Sequence, residues 1–175
     1  MEEVAWLGVD EAPHRLDYAR DREQLLAVTQ SHEHGVLGTW PLIVVRHAKA
    51  VARADYEGAD DQRRPLDERG RARARALIPV LAAYGIRRLV SSPSVRCADT
   101  LAPYAAAARL RVRAKEGLSE EGFATRPEAA SRQVARLLER GNPAAICSHG
   151  PVLPRILTTL ATRVTPDLTG RDEVV

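Results

Sequence analysis

Short apolar runs alternate with longer amphipathic segments along the chain from Pro41 onwards. Runs this short and this apolar are typical of strands that are buried within a sheet. In the longer segments apolar residues recur every three or four positions, which predicts helices with one buried face. The alternation predicts an α/β fold in which a mostly parallel central sheet is flanked by helices. The predicted strands span residues 41–45, 86–92, 110–114 and 144–147.

The helix predicted after the first strand has recognisable ends. Asp67 is a suitable N-cap, and Gly85 is suited to end the helix. Pro79 lies inside the helical pattern and is expected to kink or restart it, because proline lacks an N–H group and crowds the preceding turn. A second helix is predicted over residues 95–108.

The C-terminal half of the chain is predicted to contain a loop over residues 116–126 and two further helices. Pro127 is expected at the first position of the next helix, where its missing N–H costs nothing. The residues expected to face the core in these two helices are Val134, Leu137, Leu138, Leu153, Ile156, Leu157 and Leu160.

The first 38 residues differ in pattern from the remainder. An apolar run at residues 4–7 predicts a short strand, and residues 20–29 predict an amphipathic helix. The polar segment over residues 30–35 is predicted to be a linker. We therefore expect a boundary near residue 38.

Length and composition are those of a globular protein. The chain has 175 residues, of which 45% are hydrophobic, enough to build one core. No apolar stretch approaches the roughly 18 residues that span a bilayer, and the start has no signal-peptide pattern, so we expect a cytoplasmic protein. Cys97 and Cys147 are expected to be free thiols, and no Cys-x-x-Cys pair predicts a metal site.

The net charge of +3 is weak evidence for a nucleic-acid partner, because 23 acidic residues are interspersed with the 26 basic ones. Nucleic-acid binding therefore ranks last among the functions considered. The oligomeric state is not predicted by any pattern in the sequence.

Two histidines lie directly after predicted buried strands. His47 follows the first strand, beside Arg46, and His149 follows the strand at 144–147. The strand at 86–92 leads into a helix that begins near Arg96. Because ligands bind at the carboxyl ends of parallel strands, these side chains are expected to share one crevice. Guanidinium groups, imidazoles and a helix N-terminus all favour an anion.

This arrangement resembles the histidine phosphatase superfamily, in which Arg-His at a strand end, Arg after Ser-Ser-Pro and a late Ser-His-Gly build the site. The resemblance covers residues 41–162, and Ala48 in place of the usual glycine looks like the SixA-like and actinobacterial Nudix-associated branch. It implies a three-layer α/β/α fold and a metal-independent phosphohydrolase with a phosphohistidine intermediate on His47, without a cofactor. The implied catalytic residues are Arg46, His47, Arg96, Glu120 and His149.

Some roles stay open at this point. Glu120 matches the Leu-x-Glu acid of the superfamily, and the adjacent Glu121 is the alternative. Lys49 and Arg64 flank the expected pocket, where they are candidates to meet a second phosphate or a phosphoprotein surface. The arginines are expected to lower the pKa of His47, which would keep its ring neutral before a substrate binds.

Residues 1–38 resemble the closing strand and helix of a Nudix hydrolase domain, followed by a linker, without the Nudix catalytic helix. Residues 39–175 are then the phosphatase domain, expected to lack its last strand. The substrate implied is a nucleoside diphosphate or another small phosphorylated molecule. The alternatives are a protein phosphohistidine phosphatase similar to SixA and a truncated pseudoenzyme that binds phosphate without turnover.

Overall fold

The computed structural model describes residues 4–164. The chain divides into two compact units, Met1–Thr39 and Trp40–Val175. The first unit contains helices α1 (Ala12–Arg15) and α2 (Ala19–Glu33), and neither helix has a buried residue.

The sequence predictions for the first unit are only partly correct. The helix predicted at 20–29 is present, but the strand predicted at 4–7 is not, because among residues 4–164 no strand pairs with it. The linker predicted from residue 30 begins later. Helix α2 continues to Glu33, and Gly35 with φ +68° follows as the first residue that breaks the helical conformation.

The second unit is built on a four-stranded sheet in which every pair is parallel. The strands are β1 (Leu42–Arg46), β2 (Arg88–Ser91), β3 (Val112–Ala114) and β4 (Ala144–Ser148). Their order is β1-β4-β2-β3, so β4 lies between β1 and β2. The predicted α/β class and the predicted positions of all four strands are confirmed.

Helices cover both faces of this sheet. Helices α3 (Glu68–Ala83) and α4 (Val95–Ala107) pack on one face, where Ala145 and Cys147 of β4 point. Helices α6 (Glu128–Arg140) and α7 (Leu153–Val164) pack on the other face, against Ala144 and Ile146. Alternate residues of one strand therefore enter two separate cores, which produces the three-layer arrangement.

The ends of α3 follow the sequence predictions. The side chain of Asp67 accepts a hydrogen bond from the N–H of Gly70 at 2.6 Å, and Gly85 with φ +58° follows the helix. Of the two outcomes expected at Pro79, the restart is wrong because α3 runs through this residue, and the kink stays a prediction. A single missing N–H within a helix of 16 residues is tolerated where both ends are well capped.

Three details of the C-terminal half correct the sequence analysis. Residues 116–126 are not a loop: a 3₁₀ turn (Glu116–Leu118) leads into helix α5 (Glu120–Thr125), which is too short to show a periodic pattern. Pro127 precedes α6 by one residue instead of starting it. Leu157 is 53% exposed, since it lies about 100° around α7 from the buried Ile156. The missing last strand was predicted for residues outside the described range.

Gly70 permits a close approach between α3 and the segment that follows β1. A Cβ atom at residue 70 would lie 1.9 Å from the carbonyl oxygen of Lys49. That oxygen also accepts a hydrogen bond from the N–H of Asp67 at 3.0 Å, so it is not free to move. Because Gly70 has no side chain, the segment after β1 can lie directly against the start of α3, where the hydrogen bond from Asp67 holds it.

We expect Gly70→Ala to lower the free energy of unfolding by about 1–3 kcal/mol, because the added methyl group overlaps a fixed carbonyl. Gly38→Ala is the control, since no atom lies within 4 Å of its Cβ position. Urea unfolding of both variants measures the effect. A Gly70→Ala protein as stable as the parent would contradict the proposed packing.

Candidate active site

The parallel sheet brings the two strand-end histidines together. The N–H of His47 donates to the carbonyl of Ser148 at 3.0 Å, which extends the pairing of β1 and β4 by one residue. The N–H of Ser92 donates in the same way to Cys147 at 3.0 Å. The rings of His47 and His149 meet edge to face, with their centroids 5.2 Å apart.

The ring of His47 is oriented by the backbone. Its Nδ1 lies 2.7 Å from the carbonyl oxygen of Ala48. Because a carbonyl only accepts, Nδ1 carries the hydrogen and donates, which leaves the lone pair on Nε2. Burial lowers the pKa of His47 from its ordinary value of 6.5, and the charges of His149, Arg96 and Arg46 lower it further against the opposing effect of the Ala48 hydrogen bond. Burial, and not the neighbouring arginines expected from the sequence, is the larger cause of this shift in the pKa.

Thr100 ties the residue after His47 to helix α4. The N–H of Ala48 donates to Oγ1 of Thr100 at 2.9 Å, and that hydroxyl donates to the carbonyl of Arg96 at 2.6 Å. Sequence reasoning missed Thr100. Its position four residues after Arg96, on the buried face of α4, is the signal that would have found it.

Arg96 is 1% exposed and is held by two carboxylates. Its Nη1 donates to the carbonyl oxygen of Asp61 at 2.7 Å, and its Nη2 lies 3.1 Å from Asp61 Oδ2 and 3.3 Å from Glu120 Oε1. Its Nε is buried without a hydrogen-bond partner among residues 4–164. Of the five N–H groups of this guanidinium, those on Nη2 and one on Nη1 face Asp61 or Glu120, so a ligand at Arg96 competes with two carboxylates.

Asp61 is the centre of an arginine cluster that the sequence analysis did not find. Its carboxylate lies 2.7 Å from Arg64 Nε, 3.1 Å from Arg96 Nη2 and 3.3 Å from Arg53 Nε. The hydrogen bond from Arg64 lowers the pKa of Asp61 most, and the charges of Arg96 and Arg53 act in the same direction. Asp61 is thus ionised at neutral pH and neutralises part of the cationic site.

His149 is fully buried, and both of its ring nitrogens face oxygen atoms. Nε2 lies 2.9 Å from Ser92 Oγ, and Nδ1 lies 3.2 Å from Glu120 Oε1. Cys97 Sγ lies 3.4 Å from Nε2 on the side of the core. The ring is therefore fixed in position and can donate a hydrogen bond toward a ligand only by releasing one of these contacts.

The structure separates the two candidate acids. Glu120 begins α5, where Ser119 caps the helix by accepting from the N–H of Gly122 at 2.9 Å, and its carboxylate contacts both Arg96 and His149. The side chain of Glu121 is exposed and makes no hydrogen bond or ion pair within the described range. Only Glu120 lies in the site.

His47 also lines a cavity of about 700 Å³. Val45, Ala76 and Leu77 contribute apolar wall. Four cationic side chains also line it: Arg46, Lys49, Arg64 and Arg73.

These four cations are not equally available to a ligand. Lys49 pairs with Asp67 at 3.2 Å, and Arg64 pairs with Asp61 while donating to the carbonyl of Val51 at 2.7 Å. Arg46 and Arg73 have no ion pair or side-chain hydrogen bond within residues 4–164. The guanidinium of Arg46 instead lies against Gly150, whose Cβ position is 3.5 Å from Arg46 Cζ. Arg73 was missed because an exposed helix arginine ordinarily signals only solvation.

Comparison with known proteins identifies the class. Residues 42–125 match the histidine phosphatase superfamily (branch 1). Together with the strand-end Arg-His pair, the buried Arg96 and the parallel sheet, this match assigns residues 42–125 to the histidine phosphatase superfamily. The superfamily predicted from the sequence is confirmed, and the Nudix origin of residues 1–38 stays a prediction.

A curated relative is more specific. The chain is 36% identical over 173 residues to the 8-oxo-(d)GTP phosphatase of Mycolicibacterium smegmatis, an alignment that covers 97% of this chain and 52% of that protein. The chain thus spans about half the length of this relative.

Two solved structures are similar in fold. The candidate phosphohistidine phosphatase SixA of Nakamurella multipartitia has a TM-score of 0.56 at 23% identity, covering 76% of this chain and 75% of that one. The corresponding protein of Agrobacterium tumefaciens has a TM-score of 0.53 at 23% identity, covering 73% and 77%. At this identity the likeness shows the fold alone.

Neither a metal-binding cluster nor a membrane-spanning helix is present among the described residues. No group of three or more His, Cys, Asp or Glu side chains within residues 4–164 is arranged to hold a metal ion. No helix in the same range has the length and apolar character needed to cross a bilayer.

Proposed function

We propose that this chain is a metal-independent phosphohydrolase that forms a phosphohistidine intermediate on His47. The observation that carries the proposal is the orientation of the His47 ring, whose Nδ1–H donates to Ala48 and leaves Nε2 as a lone pair beside the cationic cavity. The pKa of His47 is lowered, so the ring is neutral and nucleophilic near pH 7.

In the first step the Nε2 lone pair of His47 attacks phosphorus. An N–P bond forms while the bond from phosphorus to the leaving oxygen breaks, and the electron pair of that bond goes to the leaving group. Glu120 in its protonated form supplies a proton to this oxygen. Because Glu120 begins α5 and contacts both Arg96 and His149, it lies within the same group of residues as the transferred phosphoryl.

The guanidinium groups of Arg46 and Arg96 replace a metal ion in balancing the phosphoryl charge. Arg46 has no competing ion pair within residues 4–164, and the buried Nε of Arg96 has no partner there. Each charge-assisted hydrogen bond of this kind contributes about 1.5–3 kcal/mol. Binding then draws Arg96 partly away from Asp61, so the cost of breaking this pair limits affinity for the ground state.

In the second step water hydrolyses the phosphohistidine. The water oxygen attacks phosphorus, and Glu120, now ionised, accepts a proton from this water. The N–P bond breaks, its electron pair returns to Nε2 of His47, and inorganic phosphate leaves. His149 stabilises the oxygens of the transferred group in both steps by donating from one ring nitrogen.

The cavity favours a small phosphorylated substrate with a second anionic group, such as a nucleoside diphosphate. Its volume of about 700 Å³ lies within the range of about 300–1,000 Å³ that is usual for small-molecule sites. Apolar wall next to Arg46, Lys49 and Arg73 suits a molecule that has both a ring and a further phosphate. The name of the M. smegmatis relative supports a nucleotide.

We expect the phosphohistidine to be trapped on His47. Phosphoramidates are sensitive to acid and survive alkaline quenching. A chain that is incubated with β-³²P-labelled nucleoside diphosphate in excess chelator and then quenched in alkali should therefore retain label. His47→Ala should lose both the label and turnover, by at least about 10³-fold, because the nucleophile is absent. His34→Ala is the matched control, since His34 lies exposed at the end of α2.

Three results would separate the alternatives. Labelling by a phosphohistidine peptide but not by the nucleotide would assign a protein phosphohistidine phosphatase. Phosphate-dependent thermal stabilisation without label or turnover would indicate the pseudoenzyme. Equal turnover in parent and His47→Ala would contradict the proposal.

Replacing Glu120 by Gln should impair poor leaving groups more than good ones, because only a poor leaving group needs a proton. We expect Glu120→Gln to lower kcat/KM by about 10²-fold or more for an alkyl phosphate, and by clearly less for a nitrophenyl phosphate. Glu121→Gln is the matched control and should leave both values near the parent. Equal losses for both substrates, or a larger loss in Glu121→Gln, would exclude Glu120 as the acid.

A further inference from the structure

A second group of cationic side chains surrounds a small groove between helix α6 and strands β2 and β3. The groove has a volume of about 80 Å³, and no acidic residue lines it. Val90, Gln133 and Leu137 form the rest of its lining. The five cationic residues are Arg88, Arg113, Lys115, Arg136 and Arg140.

The fold itself makes these side chains converge. Arg88 and Val90 lie two residues apart on β2 and therefore share one face, the face on which Val90 enters the core beneath α6. Residues 113 and 115 alternate in the same way along the edge strand. On α6, residues 133, 136, 137 and 140 lie on one side, since they follow the i, i+3, i+4, i+7 spacing.

Arg88 is the least solvated member of this group. Its Nε is buried and has no hydrogen-bond partner within residues 4–164. A buried donor without a partner is unfavourable by about 1–3 kcal/mol. Burial lowers the pKa of Arg88, and the charges of Arg140 and Arg113 lower it further.

Helix α6 also carries an arginine that has a carboxylate partner. Arg132, on a different side of α6, lies 3.4 Å from Glu128 one turn earlier. None of the five groove cations has a carboxylate within 4.0 Å among the described residues. The groove therefore concentrates positive charge and leaves it without a counter-charge.

We propose that this groove is a binding site for one tetrahedral oxyanion, a phosphate or a phosphoryl group, separate from the site at His47. The guanidinium groups offer the forked donors that match phosphate oxygens, and the amide of Gln133 adds a neutral donor. The volume of about 80 Å³ is far below the roughly 300–1,000 Å³ of small-molecule sites, so the groove suits a single phosphoryl group and not a nucleotide.

The position makes this site distinct from the catalytic one. Arg88 begins β2, whereas Ser92, which contacts His149, follows its other end. The two ends are about 10 Å apart along the strand. Bound oxyanion would join α6 to the edge of the sheet and stabilise the folded chain by mass action.

The test counts bound phosphate by equilibrium dialysis with ³²P-phosphate at constant ionic strength in chloride. Parent chain and Arg132→Gln should bind one phosphate more per chain than the double variant Arg113→Gln/Arg136→Gln. All three proteins should have the same turnover and the same product inhibition, because none of the three substituted arginines lines the cavity at His47. Equal numbers of phosphate in all three proteins would overturn the proposal.

A displacement experiment identifies the source of the oxyanion. Displacement of the additional phosphate by phenylphosphonate would assign a phosphoryl group on a larger molecule, and displacement by sulfate alone would assign the free ion.

Thermal melting checks that the variants remain folded. In phosphate-free buffer Arg136→Gln should melt above the parent, since repulsion is relieved, and should lose the phosphate-induced rise in Tm. A rise in Tm that chloride reproduces equally would also overturn the proposal.

Discussion

The parallel pairing of β1 with β4 is the constraint on which the site depends. The register sets Arg46 opposite Ser148, so the next residue on each strand is a histidine, and the two rings meet at the carboxyl edge of the sheet. A shift of one residue would turn one of these side chains to the opposite face. Every residue of β4 is buried, and its side chains enter the two cores alternately, so such a shift would disrupt both cores. The packing of the sheet therefore fixes the positions of the two histidines.

Charge balance around Arg96 is the second controlling feature. A fully buried guanidinium is stable only when it is paired, and the carboxylates of Asp61 and, in its ionised form, Glu120 provide this pairing. The same carboxylates then compete with the phosphoryl group. A site that is neutralised in this way stays folded without ligand and has lower affinity for the ground state, while Arg46 and the Nε of Arg96 remain as donors for the incoming anion.

The parts of this structure that could be predicted are those in which one local pattern determines the outcome. Buried strands, the Asp67 cap and the histidines after the strands all follow from apolar runs and end signals. Asp61 could not be found, because the segment around it has no periodicity and its buried partner Arg96 lies 35 residues away in sequence. The prediction of a strand at residues 4–7 was wrong for a related reason. A strand forms only when it pairs with another strand, and an apolar run does not show whether such a partner exists. The lowered pKa of His47 depends on burial, which only the packed structure reveals.

The mechanism needs a neutral His47 ring with a free Nε2 at neutral pH, and nitrogen-15 NMR of histidine-labelled protein tests this requirement. In the absence of ligand we expect His47 to be the Nδ1–H tautomer with an unprotonated Nε2, and its pKa to lie below 6.5. Assignment by comparison with His47→Ala identifies the resonance. A hydrogen on Nε2 at pH 7, or a titration midpoint above 6.5, would rule out His47 as the resting nucleophile.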